Sequence, residues 1–244
     1  MARRKSTSHS ISKRNPTGRG TGAAPANNST GELRIIGGDW RSRKLRFPDA
    51  GGVRPTPART RETLFNWLNF HLAGSDCLDL FAGSGALGLE ALSRGAAGAT
   101  LVDHTPALAK ALRDNLRLLK SDTGDVVCAD VESYLRQKNR PPFDIVFMDP
   151  PFRQGWLEKL FPLLDEQGWI KSGGWVYVEH ESELPTPAVP GSWHLHRQKS
   201  AGQVTYCLSR SFSANSSRYR IPLASASRHH SINALSLSWG LSPR

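Results

Sequence analysis

The chain has 244 residues, with 32 Lys plus Arg against 21 Asp plus Glu and a formal charge of +11. Its 38% hydrophobic content without repeats excludes collagen-like and coiled-coil classes. No apolar run nears the roughly 18 residues of a membrane span. The basic start, Met1 to Lys5, leads into Ser, Thr, Gly and Asn, so no secretory signal is expected.

Residues 1–31 carry six basic residues and no acidic ones among Ser, Thr, Gly, Asn and Pro, a composition that predicts a disordered basic tail. Residues 32–56 follow as a basic extension. There Leu33–Ile36 and Lys44–Phe47 bracket Gly37-Gly38-Asp39-Trp40, which predicts a β-hairpin. Arg34, Arg41, Arg43, Lys44 and Arg46 would form a patch for phosphates on it. Trp40 would either pack on a sugar or base or sit in the local core.

The main domain is expected over 57–210. Thr56-Pro57 starts a helix with Leu64, Trp67 and Leu68 on one face. Strands and helices then alternate. Leu78–Phe81 is a strand, Leu87 to Arg94 a helix and Ala99–Val102 a second strand ending at Asp103. Thr105-Pro106 reads as N-cap and first turn of a helix with Leu108, Leu112, Leu116 and Leu119 on its apolar face. Val126-Val127 is a third strand, and Asp130 caps a helix holding Val131, Tyr134 and Leu135. Asp144–Asp149 is a buried fourth strand, followed by a helix near Leu157–Leu164. A fifth strand, Trp175–Val178, precedes two runs, Trp193–Arg197 and Gln203–Leu208, that read as a closing hairpin. This alternation implies an α/β fold with a mostly parallel sheet and helices on both faces. Residues 211–244, with four arginines and no acids, are expected to be a second, Ser-rich disordered tail.

Removing the tails changes the charge picture. Residues 32–210 carry a net of +1, made of −1 at Glu32, +6 over 33–61 and −4 over 62–210. A polyanionic partner is therefore expected to meet the hairpin and the tails. Cys77, Cys128 and Cys207 form no CxxC pair and no Cys/His cluster. A disulfide framework and a metal site are not expected, and the cysteines fit a reduced, cytoplasmic protein. A monomer is the default expectation.

Gly83-Ser84-Gly85-Ala86-Leu87-Gly88 fits GxGxxG after a strand and before a helix. The pattern serves dinucleotides, whose ribose is bound by an acid about 20 residues on, and Asp103 fits that spacing. It also serves S-adenosylmethionine, which three features favour. Gly83 and Gly85, with Phe81, Ala82 and Ser84 around them, offer bare backbone to an amino-acid moiety. Asp79 could pair with an ammonium, while Asp103, followed by His104, could accept from ribose hydroxyls. Asp130 could accept from an adenine amino group, with Val131 packing on the ring.

Asp149-Pro150-Pro151-Phe152 ends the fourth strand. Two prolines stiffen the turn and leave carbonyl oxygens facing the site. An exocyclic amino group on a base is poorly nucleophilic because its lone pair is delocalised into the ring. Asp149 and the Pro150 carbonyl could accept its two N–H bonds and stabilise the developing charge, with Phe152 stacked on the base. This turn alone does not choose among bases. A methyltransferase for an adenine or another amino group in DNA or RNA, an rRNA-binding assembly factor with a vestigial site, and, most weakly, a nicotinamide oxidoreductase remain alternatives.

The blocks LRIIGG, RKL, RPTPARTRETLFNWL, CLDLFAGSGALGLEALSRGA, IVFMDPPF and AGQVTYCL resemble the bacterial 16S rRNA guanine-N2 methyltransferases of the RsmD family from about Leu33 to Leu208. The resemblance implies a Rossmann-like class I methyltransferase: a mostly parallel seven-stranded sheet with a closing antiparallel hairpin and a small N-terminal β-hairpin extension. It implies S-adenosylmethionine as cofactor and guanine N2 in 16S rRNA, within an assembled or assembling 30S particle, as substrate. It carries over the loop Ala82 to Gly85, the ribose acid Asp103 and the turn Asp149 to Phe152. Arg54, Thr56, Arg59, Arg61 and Glu62 match the family's Arg-Pro-Thr block, expected to bridge cofactor and RNA sides. His104 stands where the family often has a second acid, and both tails lie outside the match.

Overall fold

A computed structural model describes residues 30–50, 54–138 and 140–212. Apart from residues 30–31 and 211–212, the two tails lie outside the described residues. Strand β1 (Thr30–Arg34) begins inside the segment assigned to the first tail and pairs antiparallel with β2 (Lys44–Pro48). Their register opposes Leu33 to Leu45 and Arg34 to Lys44. Because side chains alternate along a strand, one face of this hairpin is apolar and the other carries Arg34, Lys44 and Arg46.

Helix α1 (Ala58–Trp67) follows, then β3 (Asp76–Asp79), α2 (Gly88–Ser93) and β4 (Gly98–Asp103). Next come α3 (Pro106–Leu119), β5 (Gly124–Cys128), α4 (Val131–Arg136) and β6 (Phe143–Met148). Helix α5 (Trp156–Glu166), β7 (Ile170–Glu181), β8 (Trp193–Ala201) and β9 (Val204–Ser211) complete the order. The seven strands β3–β9 form one sheet in the order β5-β4-β3-β6-β7-β9-β8. β5 to β7 run parallel, while β9 is antiparallel to both β7 and β8. This is the expected α/β architecture. β7 is longer than its apolar centre suggests, because backbone pairing extends through the glycines and polar residues on either side.

The strands feed two cores by strict alternation. Cys77, Leu101, Ile145 and Phe147 face α1 and α3, whereas Leu78, Val102, Val146 and Met148 face α4 and α5. Helix α3 shows why pattern reading works here. Leu108, Leu112, Leu116 and Leu119 are all buried on one side. Its cap differs from expectation. Pro106 is the first helical residue, but the Thr105 side chain makes no capping bond; instead the Thr105 N–H donates to Asp103 Oδ1 at 2.8 Å.

The hairpin is not a separate module. Leu33, Ile35, Leu45 and Phe47 join the α1/α3 core, and Trp40 packs against it partly buried, so Trp40 takes the core alternative. Its turn closes on α2: the Asp39 N–H donates to the Ser93 carbonyl at 2.7 Å. Gly38 adopts φ +73° there, and a Cβ would lie 1.7 Å from that carbonyl oxygen, so a side chain is excluded on two counts.

Beneath the turn lies Glu90, on α2. It is fully buried and accepts from the Ile36 N–H (2.9 Å), the Gly37 N–H (2.8 Å), Arg94 Nε (2.8 Å) and Arg61 (3.0 Å). Arg61 also donates to the carbonyls of Thr56 (3.1 Å) and Arg34 (3.0 Å). A buried carboxylate is tolerable only with such saturation. One ion pair thus ties the hairpin, α1 and α2 together and sets the backbone leading into Thr56. Among the described residues, no helix is long and apolar enough to cross a membrane.

Candidate active site at the carboxyl edge of the sheet

The parallel strands end on one edge, and at β3 and β6 the chain departs to opposite sides of the sheet. Ligands bind where such a sheet leaves a crevice. A cleft of about 700 Å³ opens there. Asp79 ends β3, Asp103 ends β4, Asp130 follows β5 and Asp149 follows β6, and all four line this cleft.

Phe81, Ala82, Gly83, Ser84, His104 and Val131 line the same cleft, as do Pro150, Pro151 and Phe152. The structure therefore brings together the cofactor and catalytic candidates, with one exception. Gly85 does not line the cleft. It adopts φ +83°, and a Cβ would fall 2.5 Å from Leu89 Cδ1 and 2.8 Å from Leu112 Cδ2. Its missing side chain lets the loop pack on α2 and α3 rather than approach a ligand. Gly83, at φ +49°, is the glycine that offers backbone to the cleft.

Each aspartate is held differently. Asp103 Oδ2 accepts the Gly83 N–H at 2.9 Å and Oδ1 accepts the Thr105 N–H, so the carboxylate clamps the glycine loop and keeps further lone pairs for a ligand. Asp130 accepts the Ser133 N–H at 2.9 Å, the expected helix cap, and Val131 beside it is buried. Asp79 is 1% exposed; its Oδ2 accepts the Gly88 N–H at 2.9 Å, and its Oδ1 is buried without any partner. Burial, with the charges of Asp149 and Asp103 adding, pushes Asp79 up to about 7.

Asp149 is half-buried, and its desolvation raises its pKa to about 6 against the opposing bond from Thr56, whose hydroxyl donates to Asp149 Oδ2 at 3.1 Å. So Thr56, from the Arg-Pro-Thr block, touches the predicted catalytic aspartate. Arg54 lines the cleft too, while Arg59 faces a second cavity. Arg34, Arg41, Arg43, Lys44 and Arg46 are exposed on the hairpin, away from the cleft lining. Of these, Lys44 is paired with Glu32 at 3.0 Å, and Arg43 donates to the Leu118 carbonyl at 3.3 Å.

The electrostatics choose between ligand classes. Four aspartates face one arginine, Arg54, around the cleft. A diphosphate would meet net repulsion at that wall, and a ligand carrying positive charge would meet attraction. The orphaned, buried Asp79 Oδ1 calls for a cationic N–H donor. The residues present therefore fit a nucleoside bearing an ammonium and a sulfonium and do not suit a dinucleotide.

Three functional residues were not singled out from sequence. Trp156 lines the cleft with its ring edge-on to Phe81 at 5.5 Å. Glu90 organises the hairpin; its signal was a lone acid among the leucines and alanines of α2, alongside an otherwise unexplained Arg61. Glu179 is 3% exposed, two residues after Tyr177, whose hydroxyl donates to Glu179 Oε1 at 2.7 Å. Burial, and then the Asp149 charge, push Glu179 up to about 8. Its signal is an acid directly after the apolar run Trp175–Val178, as Asp149 directly follows the apolar run of β6. Among the described residues, no group of three or more His, Cys, Asp or Glu could hold a metal ion.

The family model described as Conserved hypothetical protein 95 matches residues 33–210. The chain is 53% identical over 184 residues to the Escherichia coli K12 protein named ribosomal RNA small subunit methyltransferase D, covering 75% of this chain and 92% of that one. It is 44% identical to the protein of the same name from Haemophilus influenzae, over 74% of this chain and 95% of that one. Among solved structures, the Escherichia coli protein yhhF superposes with a TM-score of 0.70 at 52% identity, covering 75% of this chain and 99% of that one. An RNA methyltransferase from Salinibacter ruber in complex with S-adenosyl-L-homocysteine shares the fold at 18% identity, with a TM-score of 0.52 and coverage of 66% and 95%.

Proposed function

Because the chain belongs to the Conserved hypothetical protein 95 family, the family of the RsmD methyltransferases, we propose that it transfers a methyl group from S-adenosylmethionine to an rRNA base. The acceptor is N2 of a guanine in 16S rRNA, presented by an assembled or assembling 30S particle in the cytoplasm. The observation that carries this reading is that the Asp149–Phe152 turn and the four-aspartate wall line one cleft.

S-adenosylmethionine, when bound, supplies an electrophilic methyl group. Asp79 Oδ1 takes its ammonium, and Gly83 leaves room for its amino-acid moiety. Asp103, already fixed by two backbone donors, accepts from the ribose hydroxyls. Asp130 accepts from the adenine amino group, and Val131 packs on its ring. On the other side of the cleft, Asp149 and the Pro150 carbonyl accept the two N–H bonds of the target amino group. That turns the nitrogen lone pair out of the ring and toward the methyl. Burial raises the pKa of Asp149, and its ionised form stabilises the charge that forms on nitrogen. Thr56 holds one of its oxygens, leaving the other for substrate. Phe152, 37% exposed at the rim, covers the face of the base.

The basic hairpin face adds phosphate contacts that position the RNA without reading it. The deciding experiment uses 30S particles from a strain lacking the gene. Wild type should add one methyl, mapped to a guanine N2, and Asp149→Ala should abolish transfer while S-adenosylmethionine still binds. Near-normal activity of Asp149→Ala, or a methyl mapped to another base, would overturn the reading.

A further inference from the structure

A second cavity of about 440 Å³ lies on the other side of Thr56 from the cofactor cleft. Thr56 lines the cleft, while Pro57, Arg59 and Thr60 of the same segment line the second cavity with Lys199, Tyr206 and Glu179. Among the described residues, Glu179 is the one acid in this lining. Its position follows from strand register. β6 and β7 are parallel with Met148 opposite Val178, so the next residues stand side by side, Asp149 just beyond the end of β6 and Glu179 within β7. Adjacent strands lie about 4.8 Å apart, so the two carboxyl side chains are near neighbours and can converge on one edge of a base. The Tyr177 hydroxyl holds one Glu179 oxygen at 2.7 Å and fixes the carboxyl in place.

We propose that the target base, held by its amino group at the Asp149 end of the first cleft, reaches toward the second cavity and that Glu179 reads it as guanine, by accepting N1–H while Asp149 accepts from the neighbouring amino group. This rests on the amino-methyltransferase reading above. The discrimination is chemical. In guanine the amino group is flanked by a ring N–H donor at N1. In adenine and cytosine the ring nitrogen beside the amino group is an acceptor, which a carboxylate repels. Two carboxyls in register therefore match two adjacent donors, a pattern that only guanine presents beside its amino group. Arg59 and Lys199 supply positive charge for the phosphates flanking an extruded nucleotide. The groups facing Glu179 are Tyr177 on its own strand, Asp149 on β6, Thr56 before α1 and Tyr206 on β9. Asp149 and burial favour its protonated form in the free protein, and an arriving N–H donor favours the ionised form.

The test uses the full chain, 30S particles or the minimal RNA hairpin, and 2-aminopurine in place of the target guanine. 2-Aminopurine keeps the 2-amino group but has an acceptor at N1. At about pH 8.5, an alkaline condition that favours the ionised carboxyl, wild type should prefer guanine by about tenfold or more in single-turnover rate. Glu179→Gln can both accept and donate, so its preference should shrink to within about threefold, with S-adenosylmethionine affinity unchanged. A wild-type enzyme that methylates 2-aminopurine as fast as guanine overturns the proposal without any variant. So does a Glu179→Gln enzyme whose preference is undiminished. Transfer to a base other than guanine in the wild-type control would instead show that the underlying reading has failed.

Discussion

Replacing Asp79 by Asn should stabilise the ligand-free protein and cripple its ligand-bound form. Asp79 is 1% exposed, with one oxygen unpartnered, and its pKa rises from 3.8 to about 7. At about 1.4 kcal/mol per pKa unit, holding it ionised in the folded state costs about 4 kcal/mol. A carboxyl whose folded pKa lies above its unfolded one favours folding fully only below the unfolded value, and that contribution is lost as pH rises through the folded value. Most of the loss, about 3 kcal/mol, therefore falls between about pH 5 and about pH 8. Asn can still accept the Gly88 N–H. Its amide NH2 would then be the buried group without a partner, a pH-independent cost of about 1–3 kcal/mol. The stability of Asp79→Asn relative to wild type should accordingly rise by about 3 kcal/mol from about pH 5 to about pH 8 in urea unfolding. Saturating S-adenosylmethionine should reverse the order at pH 8, because ligand at a hundred times Kd adds about 2.7 kcal/mol to wild type alone. A difference that does not change with pH would refute the assignment of strain to this carboxyl. Equal ligand stabilisation of both proteins would refute its role in binding.

Asp103→Ala removes the clamp on the Gly83 N–H along with the ribose acceptor, so calorimetry should show S-adenosylmethionine binding weakened by about tenfold or more; an unchanged Kd would dismiss the ribose role. Glu90→Gln leaves Arg61 charged, 3% exposed and without its counter-ion, and should cost about 3–5 kcal/mol by urea unfolding. A loss under about 1 kcal/mol would mean that the ion pair is incidental. Arg41, Arg43 and Lys44 together changed to Ala should weaken RNA binding and lower the salt dependence by about two to three units of slope. Their S-adenosylmethionine affinity should stay unchanged, and a parallel loss of both would make the hairpin structural only.

The excess charge of the chain lies by segment on the front hairpin and the two tails. The structure adds that the hairpin face is built by register, with Arg34, Lys44 and Arg46 exposed because Leu33, Leu45 and Phe47 go to the core. The cleft at the carboxyl edge is acidic, which suits a cationic cofactor, and among the described residues Arg54 is the one arginine or lysine in its lining.

What the sequence determined by itself was whatever short-range pattern encodes. Apolar alternation placed the strands, the leucine spacing of 108–119 placed α3, and acids at strand ends marked the cleft edge. Those signals are local because backbone geometry is local: a period of two or of 3.6 residues can be read without knowing the neighbours. Tertiary structure alone decided which partners those residues acquire. Thr56 meets Asp149 across 93 positions, and Glu90 meets Gly37 across 53. Gly85 turns toward Leu89 and Leu112 instead of the ligand, and Asp79 keeps an oxygen without a partner. Glu179 comes to stand beside Asp149 only because β7 pairs with β6 in one register. Burial and charge repulsion then raise the pKa values of the carboxyls at 79, 149 and 179, because their desolvation is a property of the packed interior and not of the chain.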